Sequence, residues 1–369
     1  MRILFLSNWY PYPPDNGSKA RIFNLLRGLA REHEVALISF AESGRDVISN
    51  ELDDLCTSIQ VIARREFRPA SPASARALFG DVPRAVVHTY APEMAVAIEA
   101  EIESSDYDLI IASQWITASY AQSFGGKRAL LEELELGSFE SKVSNATGPI
   151  QRLRHRLPLI KMRQYVRSIL PSFAACTVVS QREAEFVRRA ANEYDSIEII
   201  PNFVDISSYG VRHKSREEPT LIFAGSLTYF ANRDGMGWFL DEAFPLIRKE
   251  IPNATLLITG KSPKNSLEKL PGVSLTGYVA DVRPLVGSAH VSIAPIRLGG
   301  GTRLKILESM ALRTPVVSTS KGTEGLAIKN GEHALIADDP HQFATSVIRL
   351  LRDPRKQKRI SDSAFELAK

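Results

Sequence analysis

The residues best suited to chemistry follow a glycine triplet in the second half of the chain. Gly299, Gly300 and Gly301 lead through Thr302, a good N-cap residue, into a helix predicted to end at Ala311. Glycine N–H groups and the N-terminus of a helix attract anions, because both present unpaired backbone donors. The segment therefore predicts a site for a phosphate or diphosphate group.

Three charged residues inside this helix strengthen that prediction. Arg303 is predicted to project along the apolar stripe of the first turn, where a buried cation is costly unless an anion compensates it. Lys305 adds a second cation. Glu308 follows one turn later and can accept hydrogen bonds from sugar or ribose hydroxyls. We expect Arg303 and Lys305 to stabilise a diphosphate leaving group, the alternative being that Arg303 and Glu308 only pair with each other.

Weaker candidates for the same ligand lie in loops that follow predicted strands. They are Gly17, Gly225, Ser226, Asn232 and Gly322. Ligands of open α/β sheets bind beyond the carboxyl ends of the strands, and all of these loops lie there. Gly17 belongs to a proline-stiffened loop that leads into a helix, and Asn232 precedes a helix predicted to begin near Gly235. A stiff connection without a ligand is the alternative for the loop of Gly17.

A D-x-D motif at residues 106–108 is the only hint of a metal site. Many sugar transferases hold a divalent cation with this spacing, but here the motif precedes the strand at residues 109–112. It therefore lies at the amino end of the strand, opposite the ligand edge. The seven histidines show no paired metal-ligand spacing either. We expect no metal and no cofactor.

A basic segment runs from Lys142 to Arg182 without any acidic residue. The residues that we assign to the acceptor or membrane side are Arg152, Arg154, Arg156, Lys161 and Arg163. Such a segment favours an anionic partner, and an anionic membrane surface is the one we expect. A solvated helix face is the alternative. Aromatic residues are not interleaved with the cations, so nucleic acid is not an expected partner.

Predicted strands, visible as short apolar runs, alternate with predicted helices along the chain. These elements must position the candidate site residues. The predicted strands are residues 2–7, 34–40, 58–62, 109–112, 128–131, 176–180 and 197–200, then 221–224, 255–259, 273–275, 291–294, 315–319 and 334–337. This alternation predicts an α/β fold with two doubly wound, Rossmann-like parallel sheets. A polar interval at residues 211–219 separates them, and residues 340–369 are predicted to be helical. Two distant cysteines and no apolar run of membrane-spanning length favour a cytoplasmic protein.

Taken together, the motifs resemble the GT-B-fold glycosyltransferases of family 4, which are retaining and use nucleotide sugars. The resemblance rests on residues 10–19 (YPYPPDNGSK), 200–205 (IPNFVD), 223–226 (FAGS), 299–311 (GGGTRLKILESMA) and 314–319 (TPVVST). The GGGTRLKILE stretch is similar to a subgroup associated with bacterial exopolysaccharide synthesis. The resemblance implies two Rossmann-like domains facing across a cleft: residues 1–211 for the acceptor and 212–352 for the donor. Residues 353–369 would start a helix that crosses back toward the first domain.

The resemblance also implies roles for single residues. Glu308 matches the second acid of the family's E-x7-E motif, which binds the ribose, while Arg303 and Lys305 would face the diphosphate. Gly17 would approach donor and acceptor. The first acid of the motif, which contacts the transferred sugar in the family, is replaced here by Gly300. The family's histidine after the strand at residues 109–112 is absent too, so we assign no general base.

The expected function is metal-independent, retaining transfer of a sugar from a nucleotide-diphosphate donor to a saccharide or lipid-linked acceptor. Cell-surface polysaccharide or glycolipid synthesis, by a cytoplasmic protein peripheral on the inner face of the membrane, is the expected setting. Two alternatives stay open, because a fold does not dictate its chemistry. One is a sugar-nucleotide epimerase or a phosphorylase on the same architecture. The other is a non-catalytic nucleotide-sugar-binding subunit, for which Gly300 is the sequence support.

Overall fold

Parallel strands alternate with helices along the chain in a computed structural model that describes residues 1–41, 50–68, 80–209, 216–262, 270–300 and 303–369. The strands are β1 (Arg2–Ser7), β2 (Glu34–Ala41), β3 (Ser58–Ala63), β4 (Leu109–Ser113), β5 (Ala129–Glu132), β6 (Ala175–Val178), β7 (Ile197–Ile199), β8 (Thr220–Ala224), β9 (Thr255–Thr259), β10 (Val273–Gly277), β11 (Val291–Ala294), β12 (Val316–Ser318) and β13 (Leu335–Ile336). The predicted strands are all present, and their ends differ from the prediction by two residues at most.

Helices connect successive strands. The α-helices are α1 (Gly17–Leu29), α2 (Asn50–Asp53), α3 (Arg84–Thr89), α4 (Pro92–Ser104), α5 (Gln114–Thr117), α6 (Gly137–Ser144), α7 (Pro149–Ile169), α8 (Gln181–Ala190), α9 (Phe230–Trp238), α10 (Phe244–Glu250), α11 (Arg283–Ser288), α12 (Leu304–Ala311), α13 (Pro340–Arg352) and α14 (Pro354–Ala368). Short 3-10 helices span Ala118–Phe124, Leu170–Ser172 and Ile206–Tyr209, and one π-helical turn spans Phe239–Ala243.

Two separate sheets result, each with a reversal in strand order. The first has the order β3-β2-β1-β4-β5-β6-β7 and the second the order β10-β9-β8-β11-β12-β13. The paired strands run parallel in both sheets, as predicted. Strand order reverses between β1 and β4 in one sheet and between β8 and β11 in the other. Ligands of doubly wound sheets bind at such switch points.

Each sheet is covered by helices on both faces. Side chains along a strand point alternately to opposite faces. Ile3 and Phe5 of β1 accordingly pack in one apolar cluster with Ile22 of α1, whereas Leu4 and Leu6 belong to the cluster on the other face. A strand buried on both faces has to be apolar throughout, which is why the continuous apolar runs predicted these strands correctly.

Helix α1 begins earlier than predicted. The sequence placed Gly17 in the loop before the helix, but the helix begins at Gly17 because Asn16 caps it. The Oδ1 of Asn16 accepts a hydrogen bond from the Lys19 amide at 3.1 Å. The loop after β1 therefore leads directly into the first turn, and Gly17 is the first helical residue.

Residues 340–369 are helical, as predicted, and consist of two helices that meet at Asp353. Pro354 has no N–H with which to continue α13, so the first helix ends there. The carboxylate of Asp353 caps α14 by accepting a hydrogen bond from the Lys356 amide at 2.9 Å. Ile360 and Ala364 of α14 are buried in apolar clusters of the second sheet's helices.

Contacts divide the chain into two units, residues 1–201 and 202–369. The domain boundary predicted at residues 211–212 falls in the stretch 210–215, which is outside the described residues. Helix α14 belongs to the second unit by its contacts, and the return of the terminal helix toward the first unit stays a prediction. Within the described ranges, no helix is both long enough and apolar enough to cross a membrane.

A buried ion pair ties α1 to the first sheet. The Arg21 Nε lies 2.6 Å from Oε1 of Glu132, and both side chains are almost inaccessible to solvent. Arg21 also donates to the carbonyl oxygen of Pro201 at 3.1 Å, and the hydroxyl of Ser113 donates to Glu132 Oε2 at 3.1 Å. The sequence did not predict this pair, since Arg21 lies beside Ile22 in what reads as an ordinary amphipathic helix.

Replacing Arg21 should destabilise the protein strongly. Arg21→Met leaves the Glu132 carboxylate buried without its cation, and we expect a loss of about 3–5 kcal/mol in the free energy of unfolding. Urea denaturation measures this loss. The control is Arg65→Met, which breaks the half-exposed pair of Arg65 with Glu93 and should cost less than about 1 kcal/mol. Equal losses in the two variants would contradict this account.

Candidate functional site

The candidate site of the second unit lies at the switch point between β8 and β11. Strand β8 ends at Ala224 and is followed by Gly225, whereas β11 ends at Ala294 and leads through the glycine loop to α12. Because both strands are parallel neighbours, these two loops emerge at the same edge of the sheet. The structure therefore brings the two motifs together, as the sequence predicts.

Lys305 lies at the centre of this arrangement. Its Nζ donates to Oδ1 of Asn232 at 3.1 Å and lies 3.9 Å from the centroid of the Phe223 ring. Desolvation, together with the nearby Arg303 charge, lowers the pKa of Lys305 to about 7. Gly225 makes room for this amine, because a Cβ at that position would lie 2.6 Å from the Nζ.

Asn232 links the lysine to the loop after β8. The helix that carries it begins at Phe230 rather than near Gly235, so the prediction that Asn232 precedes the helix is wrong and the residue lies in the first turn of α9. Its Nδ2 donates to the carbonyl oxygen of Ser226 at 2.8 Å. The Ser226 hydroxyl is itself bonded to the carbonyl oxygen of Lys261 at 2.9 Å. These hydrogen bonds hold the side-chain amide of Asn232 in the orientation in which its oxygen accepts the hydrogen bond from Lys305.

Glu308 lies on α12 one turn after Lys305. Its Oε1 accepts a hydrogen bond from the hydroxyl of Tyr209 at 3.3 Å. Burial raises the pKa of Glu308, and the hydrogen bond from Tyr209 and the charges of Lys305 and Arg283 oppose that rise. The carboxylate is thus held by a tyrosine hydroxyl in a position where it could accept a ligand hydroxyl instead.

Arg283 supports the tyrosine from the other side. Its Nη1 donates to the carbonyl oxygen of Ser208 at 2.8 Å, and its guanidinium lies 5.9 Å from the centroid of the Tyr209 ring. Asp281 pairs with the same guanidinium at 2.8 Å. Sequence reasoning missed Tyr209 and Arg283, because only the tertiary fold brings them next to Glu308.

The glycine loop and Arg303 differ from the prediction. Helix α12 begins at Leu304, so Arg303 precedes the first turn instead of projecting from it along the apolar stripe. Its guanidinium folds back on the loop, where Nη2 donates to the carbonyl oxygen of Leu298 at 3.3 Å and Nη1 to that of Gly300. Gly299 has a φ of +92°, a conformation that favours glycine. Gly301 and Thr302, including the predicted N-cap, are outside the described residues.

Gly17 and Gly322 are the two remaining donor candidates. Gly17 is in the first unit, at the start of α1. Gly322 is buried, and its amide donates to the hydroxyl of Thr319 at 2.9 Å. Its N–H is therefore engaged within the protein, so the structure does not support a turn that offers this amide to a phosphate.

The basic residues of the first unit divide into two groups. Arg152, Arg154 and Arg156 are exposed on α7. The two residues that follow are engaged within the protein: Lys161 Nζ donates to the carbonyl oxygen of Gly80 at 2.7 Å, and Arg163 pairs with Glu140. The predicted basic face is therefore narrower than the sequence indicated. The D-x-D motif precedes β4 as expected, with Asp106 paired to Lys127 and Asp108 bound to the amide of Arg2.

One family model matches the second unit. Residues 218–353 match the family model described as glycosyl transferases group 1. An uncharacterized 44.6 kDa protein in the cps region of Klebsiella pneumoniae is 30% identical over 157 residues, which cover 39% of this chain and 40% of that protein. A phosphatidyl-myo-inositol mannosyltransferase of Mycobacterium leprae is 29% identical over 172 residues, which cover 43% of this chain and 45% of that protein. The chain thus spans less than half the length of these curated relatives.

Solved structures match the whole chain. Sucrose-phosphate synthase from Thermosynechococcus elongatus has a TM-score of 0.70 at 18% identity, covering 100% of this chain and 94% of that one. Anabaena HepE in complex with UDP-glucose has a TM-score of 0.67 at 13% identity, with the same coverage. At these identities the likeness concerns the fold. It confirms the predicted α/β class with two Rossmann-like units of the GT-B type.

Lys305 should titrate near neutrality in the unliganded protein. The Nζ signal of labelled lysine, assigned by its loss in Lys305→Met, should follow a pKa of about 7 by NMR. Glu308→Gln removes a carboxylate that raises this pKa and should lower it further, whereas the surface variant Glu250→Gln should leave it unchanged. An ordinary lysine titration, close to pH 10.5, would contradict the environment described here.

Proposed function

We propose that the protein is a glycosyltransferase that binds a nucleotide-diphosphate sugar in its second unit and transfers the sugar to a saccharide or lipid-linked acceptor. The observation that carries the proposal is the placement of Lys305 and Glu308 one turn apart at the start of α12, at the switch point of the second sheet. The match of residues 218–353 to glycosyl transferases group 1 covers this site and supports the proposal. HepE, of the same fold, has been solved with UDP-glucose.

In this proposal the cationic residues act on the leaving group. Lys305, Arg303 and the N-terminus of α12 stabilise the charge that grows on the diphosphate as the bond to the sugar breaks. Arg303 exchanges its hydrogen bonds to loop carbonyls for bonds to phosphate oxygens. Two cations and a helix terminus neutralise a diphosphate without a metal, so we propose a metal-independent reaction. Glu308 accepts hydrogen bonds from the ribose hydroxyls in place of that from Tyr209.

We also propose that the transfer retains the anomeric configuration, as the family resemblance implies. The position at which the family has its first acid is Gly300, so this chain offers no carboxylate there. Direct displacement on the face that the diphosphate leaves then replaces a covalent sugar–enzyme intermediate. Gly300 also favours a second candidate function, a subunit that binds the nucleotide sugar without turnover.

Nucleotide binding tests the donor site. We expect calorimetric titration with UDP, GDP, ADP and dTDP to show binding of one nucleotide, weakened at least about tenfold, or about 1.4 kcal/mol, by Glu308→Ala. Because the diphosphate favours the charged form of Lys305, binding should take up a proton, and the affinity should fall as the pH rises from 6 to 8.5. Glu250→Ala is the control. Binding of none of the four nucleotides would contradict the proposal.

For the acceptor we propose a saccharide carried at a membrane surface and bound by the first unit, with the protein on the cytoplasmic face. Helix α7 supports this. Its first turns expose an apolar stripe that consists of Ile150, Leu153, Leu157 and Ile160. Helical spacing places Arg154 on one flank of this stripe and Arg152 and Arg156 on the other. Apolar side chains between arginines suit an anionic headgroup layer.

The setting that we propose is the synthesis of cell-surface polysaccharide or glycolipid. One relative is encoded in a cps region and another is a phosphatidyl-myo-inositol mannosyltransferase. Both facts concern those proteins, and they agree with the membrane-directed face of α7.

Vesicle binding tests the face of α7. At low salt the protein should bind vesicles of phosphatidylcholine with phosphatidylglycerol. A variant with alanine at the three exposed arginines should bind at least about tenfold more weakly, because each basic residue near an anionic surface contributes about 1 kcal/mol to the binding free energy. These arginines are Arg152, Arg154 and Arg156. The control variant loses the same charge from exposed positions of the second unit, namely Arg349, Arg355 and Arg359.

The apolar stripe is tested separately. Leu153→Ser should weaken vesicle binding, whereas Val96→Ser, which changes a similarly exposed residue of α4, should not. Binding that is unaltered by both the arginine and the leucine changes would show that α7 is not the membrane face.

A further inference from the structure

A second polar cluster lies at the switch point of the first sheet. Asn8 follows β1 directly, Gln114 follows β4 and Glu133 follows β5, so all three emerge at the carboxyl edge of neighbouring parallel strands. Ser18 joins them from the first turn of α1. We call these residues the switch-point cluster: Asn8, Ser18, Gln114 and Glu133. The nucleotide site proposed above uses none of them.

Gln114 connects the cluster. Its Oε1 accepts a hydrogen bond from Nδ2 of Asn8 at 2.9 Å. Its Nε2 donates to Oε2 of Glu133 at 2.9 Å and to the hydroxyl of Ser18 at 3.2 Å. Gln114 and Ser18 are half-buried, whereas Asn8 and Glu133 are buried. The cluster therefore reaches the surface at one side and the protein interior at the other.

Two members of the switch-point cluster have a strained backbone. Gln114 has a φ of +69° and Glu133 a φ of +55°, in the left-handed region that side chains other than glycine rarely adopt. Of the non-glycine residues that the structure describes, only these two and Arg313 have a positive φ. Each such residue costs about 1–3 kcal/mol and tends to lie at a functional site. Two strained residues whose side chains bond to each other indicate a geometry that the fold maintains.

The two neighbouring carboxyls have opposite environments. Glu132 is matched by the buried Arg21, at 2.6 Å. Glu133 accepts its hydrogen bond from the neutral amide of Gln114. Burial, and then the charge of Glu132, raise the pKa of Glu133 to about 8. Glu135 adds to the rise, and Arg21 and Gln114 oppose it. A buried carboxyl whose pKa is raised toward neutrality, beside a second carboxyl, is a recurrent arrangement in acid–base sites.

One buried polar atom of the cluster points to a ligand. The Oδ1 of Asn8 has no hydrogen-bond partner among the described residues, although Asn8 is only 3% exposed. Leaving a buried acceptor unpaired costs about 1–3 kcal/mol. A ligand hydroxyl can donate a hydrogen bond to this oxygen. Ligand hydroxyls can also form hydrogen bonds with the carboxyl of Glu133 and with the hydroxyl of Ser18.

We infer that the switch-point cluster binds a hydroxyl-bearing saccharide, the acceptor of the reaction, and that Glu133 takes the proton of the hydroxyl that reacts. The inference rests on the proposed function. The acceptor O–H bond breaks, the proton passes to a carboxylate oxygen of Glu133, and the acceptor oxygen forms a bond to the anomeric carbon. The bond between that carbon and the phosphate oxygen breaks, and its electron pair leaves with the nucleoside diphosphate. Glu133 then returns the proton to solvent.

The pH profile separates this role from a structural one. The active form of a base is the ionised form, so activity rises with pH through the pKa of Glu133. With a pKa of about 8, roughly one-tenth of the carboxyl is ionised at pH 7 and nine-tenths at pH 9. At a donor concentration that saturates the protein at each pH, so that the bound diphosphate keeps Lys305 charged, we therefore expect kcat/KM for the acceptor to rise about tenfold over this range and to level off above it.

The experiment uses the full chain, UDP-glucose and GDP-mannose as donors, and octyl glucoside and octyl mannoside as acceptors. Glu133→Gln keeps the shape and still accepts a hydrogen bond from Gln114. It should lower kcat/KM by about 100-fold at pH 9 and remove the rise with pH. The control is Glu183→Gln. Glu183 is another buried carboxyl of the first unit, with a pKa raised to about 7, but it binds the amides of Leu136 and Gly137.

The possible results differ in meaning. Loss of the pH-dependent rise in Glu133→Gln and its retention in Glu183→Gln support the inference. Transfer by Glu133→Gln with the same pH profile as the unaltered protein overturns it, while the proposed function stands. Absence of transfer by the unaltered protein, together with absence of nucleotide binding in calorimetry, overturns the proposed function and this inference with it. Nucleotide binding without any transfer overturns the assignment of Glu133 and favours the non-catalytic subunit.

Discussion

Parallel strand pairing is the constraint on which both candidate sites depend. In a parallel sheet every strand ends at the same edge, so residues far apart in sequence meet there once the register is set. Where strand order reverses, the connections on either side leave to opposite faces, and the edge between them stays open. The lysine and glutamate of α12 meet the loop after β8 at one such edge, and the switch-point cluster forms at the other.

Both sites also share a way of handling buried charge. In the second unit the amine of Lys305 lies over an aromatic ring beside Arg303, and in the first unit the carboxyl of Glu133 lies beside Glu132. Each is thus buried beside a group of its own charge sign, and each pKa moves toward neutrality. An anion beside Lys305 in the second unit and a hydroxyl beside Glu133 in the first unit would relieve these costs.

The sequence predicted the strands and the loops at their ends because burial on both faces requires apolar runs that are visible by inspection. It placed Lys305, Glu308, Gly225 and Asn232 at one edge for the same reason. The sequence did not predict that Arg303 precedes its helix, because the residue at which a helix begins depends on local capping. The predicted cap, Thr302, is outside the described residues. Tyr209 could not be foreseen, because its contact with Glu308 spans 99 positions and follows no periodic pattern.

Glu133 is a different case. The pair Glu132–Glu133 stands directly after a predicted buried strand, at the edge where ligands bind, so the rule that singled out the glycine loop would have singled out this pair as well. The sequence does not show the difference between the surroundings of the two carboxyls. That difference depends on Arg21, which approaches from α1 across more than a hundred residues of chain, and on the left-handed backbone of Glu133 itself.

The exposed stripe on α7 has a consequence for the protein in solution. Ile150, Leu153 and Leu157 would be attractive surfaces for a second copy, since apolar patches on a monomer promote self-association. The arginines that flank them repel the same residues of another molecule. This repulsion extends over about 10 Å at 0.1 M salt and shrinks to about 3 Å at 1 M. Colloidal stability in solution therefore depends on ionic strength, and concentrated salt removes the electrostatic repulsion that keeps the molecules apart.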